Sequence, residues 1–101
     1  MDTNKFKADS RLLFGRWNYD IVKELMNGPK RYSDIKRAVP VTGTTLTDRL
    51  RMFEAENLIS RHMHPEIPLR VEYALTAKGE ALRPMVEAFE RWVDQHMDCN
   101  E

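Results

Sequence analysis

The stretch that decides the fold runs from Arg31 to Tyr73. It reads R-Y-S-D-I-K-R-A-V-P (31–40), V-T-G-T-T-L-T-D-R-L-R-M-F-E-A-E-N-L-I (41–59) and S-R-H-M-H-P-E-I-P-L-R-V-E-Y (60–73). In the first piece Tyr32, Ile35 and Val39 share one face of a short helix over about 33–38, with Ser33 placed to cap it and Pro40 to end it. In the second, Thr42 is an N-cap with Val41 as a staple before it, and Leu46, Leu50 and Phe53 are spaced i, i+4, i+7 toward a core. Asn57 suits the left-handed closing position. In the third, a strand from Leu58 to Met63 leads to a tip where Pro65 and Pro68 exclude regular ladder pairing. Residues 70–75 then alternate, with Val71, Tyr73 and Leu75 on one face and Arg70, Glu72 and Ala74 on the other.

Helix, turn, helix and basic hairpin is the order of a winged helix-turn-helix, whose second helix enters a DNA major groove. The expected fold class is therefore α+β and mainly helical: a winged helix-turn-helix with a two-stranded β-hairpin wing, flanked by N- and C-terminal helices. The flanks fit that frame. Trp17, Ile21, Val22, Leu25 and Met26 form one helical stripe, stopped by Asn27-Gly28-Pro29. Phe6, Ser10, Leu13 and Phe14 predict an earlier helix over 5–14, ended by Gly15. Thr76 caps a final helical segment that contains Pro84, so either the helix kinks there or a short turn precedes a new helix near Arg83.

At 101 residues the chain is expected to be a single domain, 1–101, with about 15–76 as the DNA-binding core. Residues 1–14 and 77–101 are left as dimerisation helices. The formal net charge is +0, but its distribution is uneven. Residues 28–75 carry eight cations (Lys30, Arg31, Lys36, Arg37, Arg49, Arg51, Arg61, Arg70) against six anions (Asp34, Asp48, Glu54, Glu56, Glu66, Glu72). Residues 76–101 carry three cations (Lys78, Arg83, Arg91) against six anions (Glu80, Glu87, Glu90, Asp94, Asp98, Glu101). Distribution governs binding more than the total does. Cys99 is the only cysteine, and no apolar run is long enough for a membrane span. The N-terminus lacks the apolar segment of a signal peptide, so a cytoplasmic protein is expected.

Several blocks together carry a family resemblance: G-R-W (15–17), E-L-M-N-G-P-K-R-Y-S-D-I-K-R-A-V (24–39), L-T-D-R-L-R (46–51), L-I-S-R (58–61) and P-E-I-P-L-R-V-E-Y-A-L-T-A-K-G (65–79). In that order the chain resembles the HxlR-type winged-helix regulators of bacteria and archaea. The resemblance implies a cytoplasmic homodimeric transcription factor on a palindromic operator. Some relatives that sense oxidants carry a cysteine a dozen or so residues before the G-[KR]-W. The corresponding stretch here is D-T-N-K-F, so no thiol sensing is expected through that site.

The residues that would carry DNA binding follow from the helical wheel at about 100° per residue. Thr44, Asp48 and Arg51 lie opposite the core stripe of the recognition helix (about 42–56), with Thr45 beside them and Thr42 at its start. Arginine pairs with guanine and threonine meets a thymine methyl or a phosphate; Asp48 either accepts from a cytosine amino group or orients an arginine. Arg49, at the edge of the core, either grips a phosphate or pairs with Glu54 or a sheet residue. Lys30 and Arg31 precede the short helix and suit phosphate contact, with a solvated loop as the plain alternative. The wing (about 62–70) offers His64 and Arg70, the latter suited to a minor groove, while Glu66 argues against deep embedding.

Phe6, Leu13, Met85, Phe89, Trp92 and Val93 exceed what a small core needs and predict a homodimer interface, against intrachain packing alone. Expected partners are thus double-stranded DNA and a second copy, with a cavity beside the terminal helices able to hold an apolar small-molecule effector, and no membrane. No cofactor and no metal are expected: His62 with His64, or His96 with Cys99, supply two ligands where zinc takes four. Nothing in the sequence resembles a catalytic constellation, and the glycines are isolated. The competing reading is a winged-helix protein-interaction module without DNA binding, favoured by the zero net charge.

Overall fold

A computed structural model describes residue 15 and residues 17–97; the helix expected over 5–14, with Phe6 and Leu13, lies outside them, as does Cys99. Helix α1 (Asn18–Met26) buries Ile21, Val22 and Leu25 and stops at Gly28, whose φ of 124° a side chain would strain. Strand β1 (Lys30–Arg31) follows, then α2 (Tyr32–Ala38), α3 (Gly43–Ala55), β2 (Ile59–His64), β3 (Arg70–Leu75), the short α4 (Ala77–Glu80) and α5 (Arg83–His96).

Three local expectations are refined. Ser33 does not cap the short helix, which starts a residue earlier. Arg31 is its N-cap residue, and the Asp34 carboxylate accepts the Arg31 backbone N–H at 3.3 Å. That bond, followed by the pairing with Arg37, holds the Asp34 carboxyl below the usual carboxylate range. The wing hairpin forms as expected, yet its sheet has a third member: β1 pairs antiparallel with β3, giving the order β1-β3-β2. Pro84 does not kink a continuous helix. It lies in the first turn of α5, where its missing N–H breaks no ladder bond.

The core is the meeting of three helical stripes on the sheet base. Ile21, Val22 and Leu25 of α1, Ile35 and Val39 at α2, and Leu46, Leu50 and Phe53 of α3 close with Leu58 and Ile59. Each such side chain contributes roughly 1.5–3 kcal/mol on burial. Helix α3 begins as its sequence demands, with Thr42 Oγ1 accepting from Thr45 N at 3.2 Å. It ends with Asn57 at φ 62°. Tyr32 sets the turn between α2 and α3, because its hydroxyl donates to the Gly43 carbonyl at 3.1 Å.

Beyond the sheet, Thr76 caps α4 by accepting from Gly79 N at 3.1 Å, and its own hydroxyl donates to Asn57 O at 2.6 Å. Gly79 is buried so tightly that a Cβ would collide with the Leu58 carbonyl oxygen. Helix α5 is then tied back to α1. The Tyr19 hydroxyl donates to Glu90 at 2.5 Å, Lys23 Nζ lies 3.0 Å from the same carboxylate, and Arg83 donates to Met26 O at 2.9 Å. Phe89 meets the Tyr19 ring edge-on, with centroids 6.1 Å apart.

Candidate nucleic-acid interface

Burial sorts the side chains of α3 by angle. Leu46, Leu50 and Phe53 are buried, whereas Thr44, Asp48, Arg51 and Ala55 are exposed at i, i+4, i+7 and i+11. That outer stripe is the one the helical wheel selects, and among the described residues Asp48 and Arg51 have no side-chain partner. The other two threonines are engaged locally: Thr42 Oγ1 donates to Thr45 Oγ1 at 3.1 Å, so both hydroxyls belong to the cap.

The charge balance is resolved by pairing. Lys23 meets Glu90, Lys30 meets Glu24 at 3.7 Å, Arg37 meets Asp34, Arg61 meets Glu54 at 3.9 Å, Arg70 meets Glu66, and Arg83 meets Glu80. Lys78 donates to the Glu56 carbonyl at the end of α3. Among the described residues, Arg31, Lys36, Arg49, Arg51 and Arg91 are the lysines and arginines without an ion pair or side-chain hydrogen bond, and four of these five lie on α2 and α3 or at the N-cap of α2. Zero net charge therefore coexists with a helix-turn-helix in which every cation but Arg37 lacks an acidic partner among the described residues.

Arg49 does not make the Glu54 pairing that one sequence reading allowed. Glu54 is taken by Arg61, and the half-buried Arg49 has an Nε shielded from solvent with no hydrogen-bond partner. Leaving that buried donor unmet costs free energy. Lys36, which the sequence reading passed over, has its chain beside Gly43 at the α2–α3 turn. Its exposure on a short helix was visible in the sequence, but its lack of a partner was not.

Elsewhere the expected contacts are less free. Lys30 sits in β1 opposite Tyr73 and leans on Glu24, so it is not a loop cation. Arg31 is exposed at the start of α2 and lies opposite Glu72 in the sheet. On the wing, Arg70 pairs with Glu66 at 3.1 Å and lies 3.9 Å from Glu72, while His64 Nε2 is 3.0 Å from Glu72.

On the far side, α5 presents Met85, Phe89, Trp92 and Met97 to solvent, with Trp92 51% and Phe89 49% exposed. Val93 is half-buried, and an open groove of about 360 Å³ is lined by Tyr19, Phe89, Glu90, Val93 and Asp94. The Tyr19 hydroxyl is pushed far above its ordinary range, first by desolvation and then by Glu90; the Glu90 carboxyl is lowered, first by the Tyr19 bond and then by Lys23. Among the described residues no cluster of three or more His, Cys, Asp or Glu could hold a metal, and no helix is long and apolar enough to cross a membrane.

Two helices joined by a tight turn, with an antiparallel hairpin beside them, define a winged helix-turn-helix of the transcription-regulator kind. The chain belongs to the HxlR-like helix-turn-helix family, whose profile matches residues 12–101. It is similar to YvaP of Bacillus subtilis (strain 168), an uncharacterized HTH-type transcriptional regulator, at 38% identity over 95 residues, 93% of this chain and 88% of that one. It is also similar to the HTH-type transcriptional regulator YodB of the same organism, at 37% identity over 92 residues, 90% of this chain and 82% of YodB. The solved structure of reduced YodB from B. subtilis superimposes with a TM-score of 0.85 at 34% identity, covering 100% of both chains. The protein is a DNA-binding regulator of transcription.

Proposed function

We propose that the protein acts as a homodimer on a palindromic operator, with α3 in the major groove and the wing beside the flanking minor groove. The observation that carries this reading is the exposed stripe Thr44–Asp48–Arg51, together with Lys36 and Arg49, which have no acidic partner among the described residues. Arg51 reads a guanine edge, Asp48 accepts from a cytosine amino group, and Thr44 meets a thymine methyl. Arg49 and Lys36 grip phosphates, with Arg31 on the backbone at the start of α2. Thr42 and Thr45 brace the N-terminus of α3, whose free N–H groups suit a phosphate.

Met85, Phe89, Trp92 and Val93 of α5 form the dimer contact. Two-fold pairing sets two recognition helices about 34–36 Å apart, one turn of DNA. A salt titration of binding to duplex DNA tests the reading. Each phosphate contact contributes about −0.9 to the slope of log K against log salt, so a steep fall is expected. A flat response, or no binding at low salt, contradicts it and supports the protein-interaction module instead.

A further inference from the structure

The outer face of the sheet gathers Arg31, His62, His64 and Arg70 around one carboxylate. Glu72 on the central strand β3 is opposite Arg31 on one side and His62 on the other. Arg70 lies two residues away on the same strand face, with His64 opposite it. A second carboxylate arrives from the wing tip, where Glu66 reaches Arg70 at 3.1 Å. Arg70 is thus clamped between two acids, its side chain 30% exposed and its Nε shielded from solvent without a hydrogen bond. Lys36 of α2 and Arg49 and Arg51 of α3, by contrast, have no acidic partner among the described residues.

We propose that Glu66 and Glu72 are specificity-determining residues that hold Arg70 away from DNA until the wing is seated at the right site. This rests on the DNA-binding reading above. Non-specific affinity is set by phosphate neutralisation, which any free arginine adds to on every sequence. A clamped wing arginine adds little on random DNA. On the operator, α3 fixes the register and brings the wing to the groove, whose negative potential competes with the two carboxylates for the guanidinium. The clamp thereby widens the ratio of specific to non-specific binding without changing a base contact.

A double-mutant cycle on random duplex tests this, with wild type, Glu66→Gln, Arg70→Ala and the double variant compared at several salt concentrations. The plain through-space effect of removing a charge is the same in both backgrounds and cancels. Release of Arg70 onto a phosphate does not cancel. Glu66→Gln is expected to tighten random-duplex binding and steepen the salt slope by about one unit. The loss caused by Arg70→Ala should be about tenfold greater in the Glu66→Gln background than in wild type. Equal losses in the two backgrounds overturn the clamp while leaving the regulator reading intact. Failure of the wild-type protein to bind any duplex at low salt overturns both. A Glu72→Gln variant, matched in melting temperature to wild type, provides the same comparison from the second acid.

Discussion

Glu54 on α3 reaches across to Arg61 on β2, at 3.9 Å, and leaves Arg49, five residues earlier on the same helix, without an acidic partner. The choice follows from position. Glu54 is near the end of α3, next to the strand that leaves it, whereas Arg49 lies higher on the helix at the border of the core. An exposed pair such as Glu54–Arg61 contributes little to stability, about 0–1 kcal/mol. Its larger effect is on charge: it compensates the sheet cation and not the helix cation.

Gly79 predicts a packing cost. A methyl group there meets the Leu58 carbonyl oxygen and approaches the Leu75 side chain. Backbone cannot move aside as a flexible side chain would. Gly79→Ala is expected to destabilise the fold by about 1–3 kcal/mol, read as a fall in melting temperature or denaturation midpoint. An unchanged midpoint would mean that α4 can shift off the sheet.

The α1–α5 tie predicts a pH dependence. The folded-state pKa of Glu90 is depressed, mainly by the Tyr19 hydroxyl and then by Lys23. A depressed carboxyl adds stability that is present above its unfolded value and lost as pH falls through its folded value. Glu90→Gln should therefore be less stable than wild type near neutrality, by at most about 1 kcal/mol because the pair is substantially exposed. The gap should close in acid, below the usual carboxylate range. A gap independent of pH would assign the effect to packing.

The exposed side of α5 predicts an oligomeric effect. Phe89→Ser with Trp92→Ser removes two large apolar groups that are half-exposed in a single chain. Loss of an interface anchor costs about 2 kcal/mol or more, so the dimer should dissociate at concentrations where wild type does not. Sedimentation or light scattering reads this directly. A wild-type protein that is already monomeric contradicts the dimer.

Much of this arrangement was legible in the residues. Thr42 and Thr76 cap as hydroxyls before an apolar run do, Asn57 takes the left-handed position, and the stripe Leu46–Leu50–Phe53 orients α3 without any tertiary information. Strand β1 was not legible, because two residues have no periodicity and its partner Glu72 is distant in sequence. Nor was the start of α2, since Asp34 outcompetes Ser33 by reaching back to the Arg31 amide. Among the site residues, sequence spacing identified which side chains face outward. It left open which cations are free, because Arg70–Glu66, Lys30–Glu24 and Lys23–Glu90 depend on how a loop or a distant helix is seated.

The outward face of α3 carries the central claim, and Arg51 tests it most directly. The operator is first selected from random duplexes, and Arg51→Ala is then compared with wild type on that operator and on unrelated duplex. A base-reading arginine predicts a loss of about 1–3 kcal/mol on the operator, relaxed preference at one base pair, and little loss on unrelated DNA. Equal loss on both would make Arg51 a phosphate contact, and no loss on either would remove α3 from the interface.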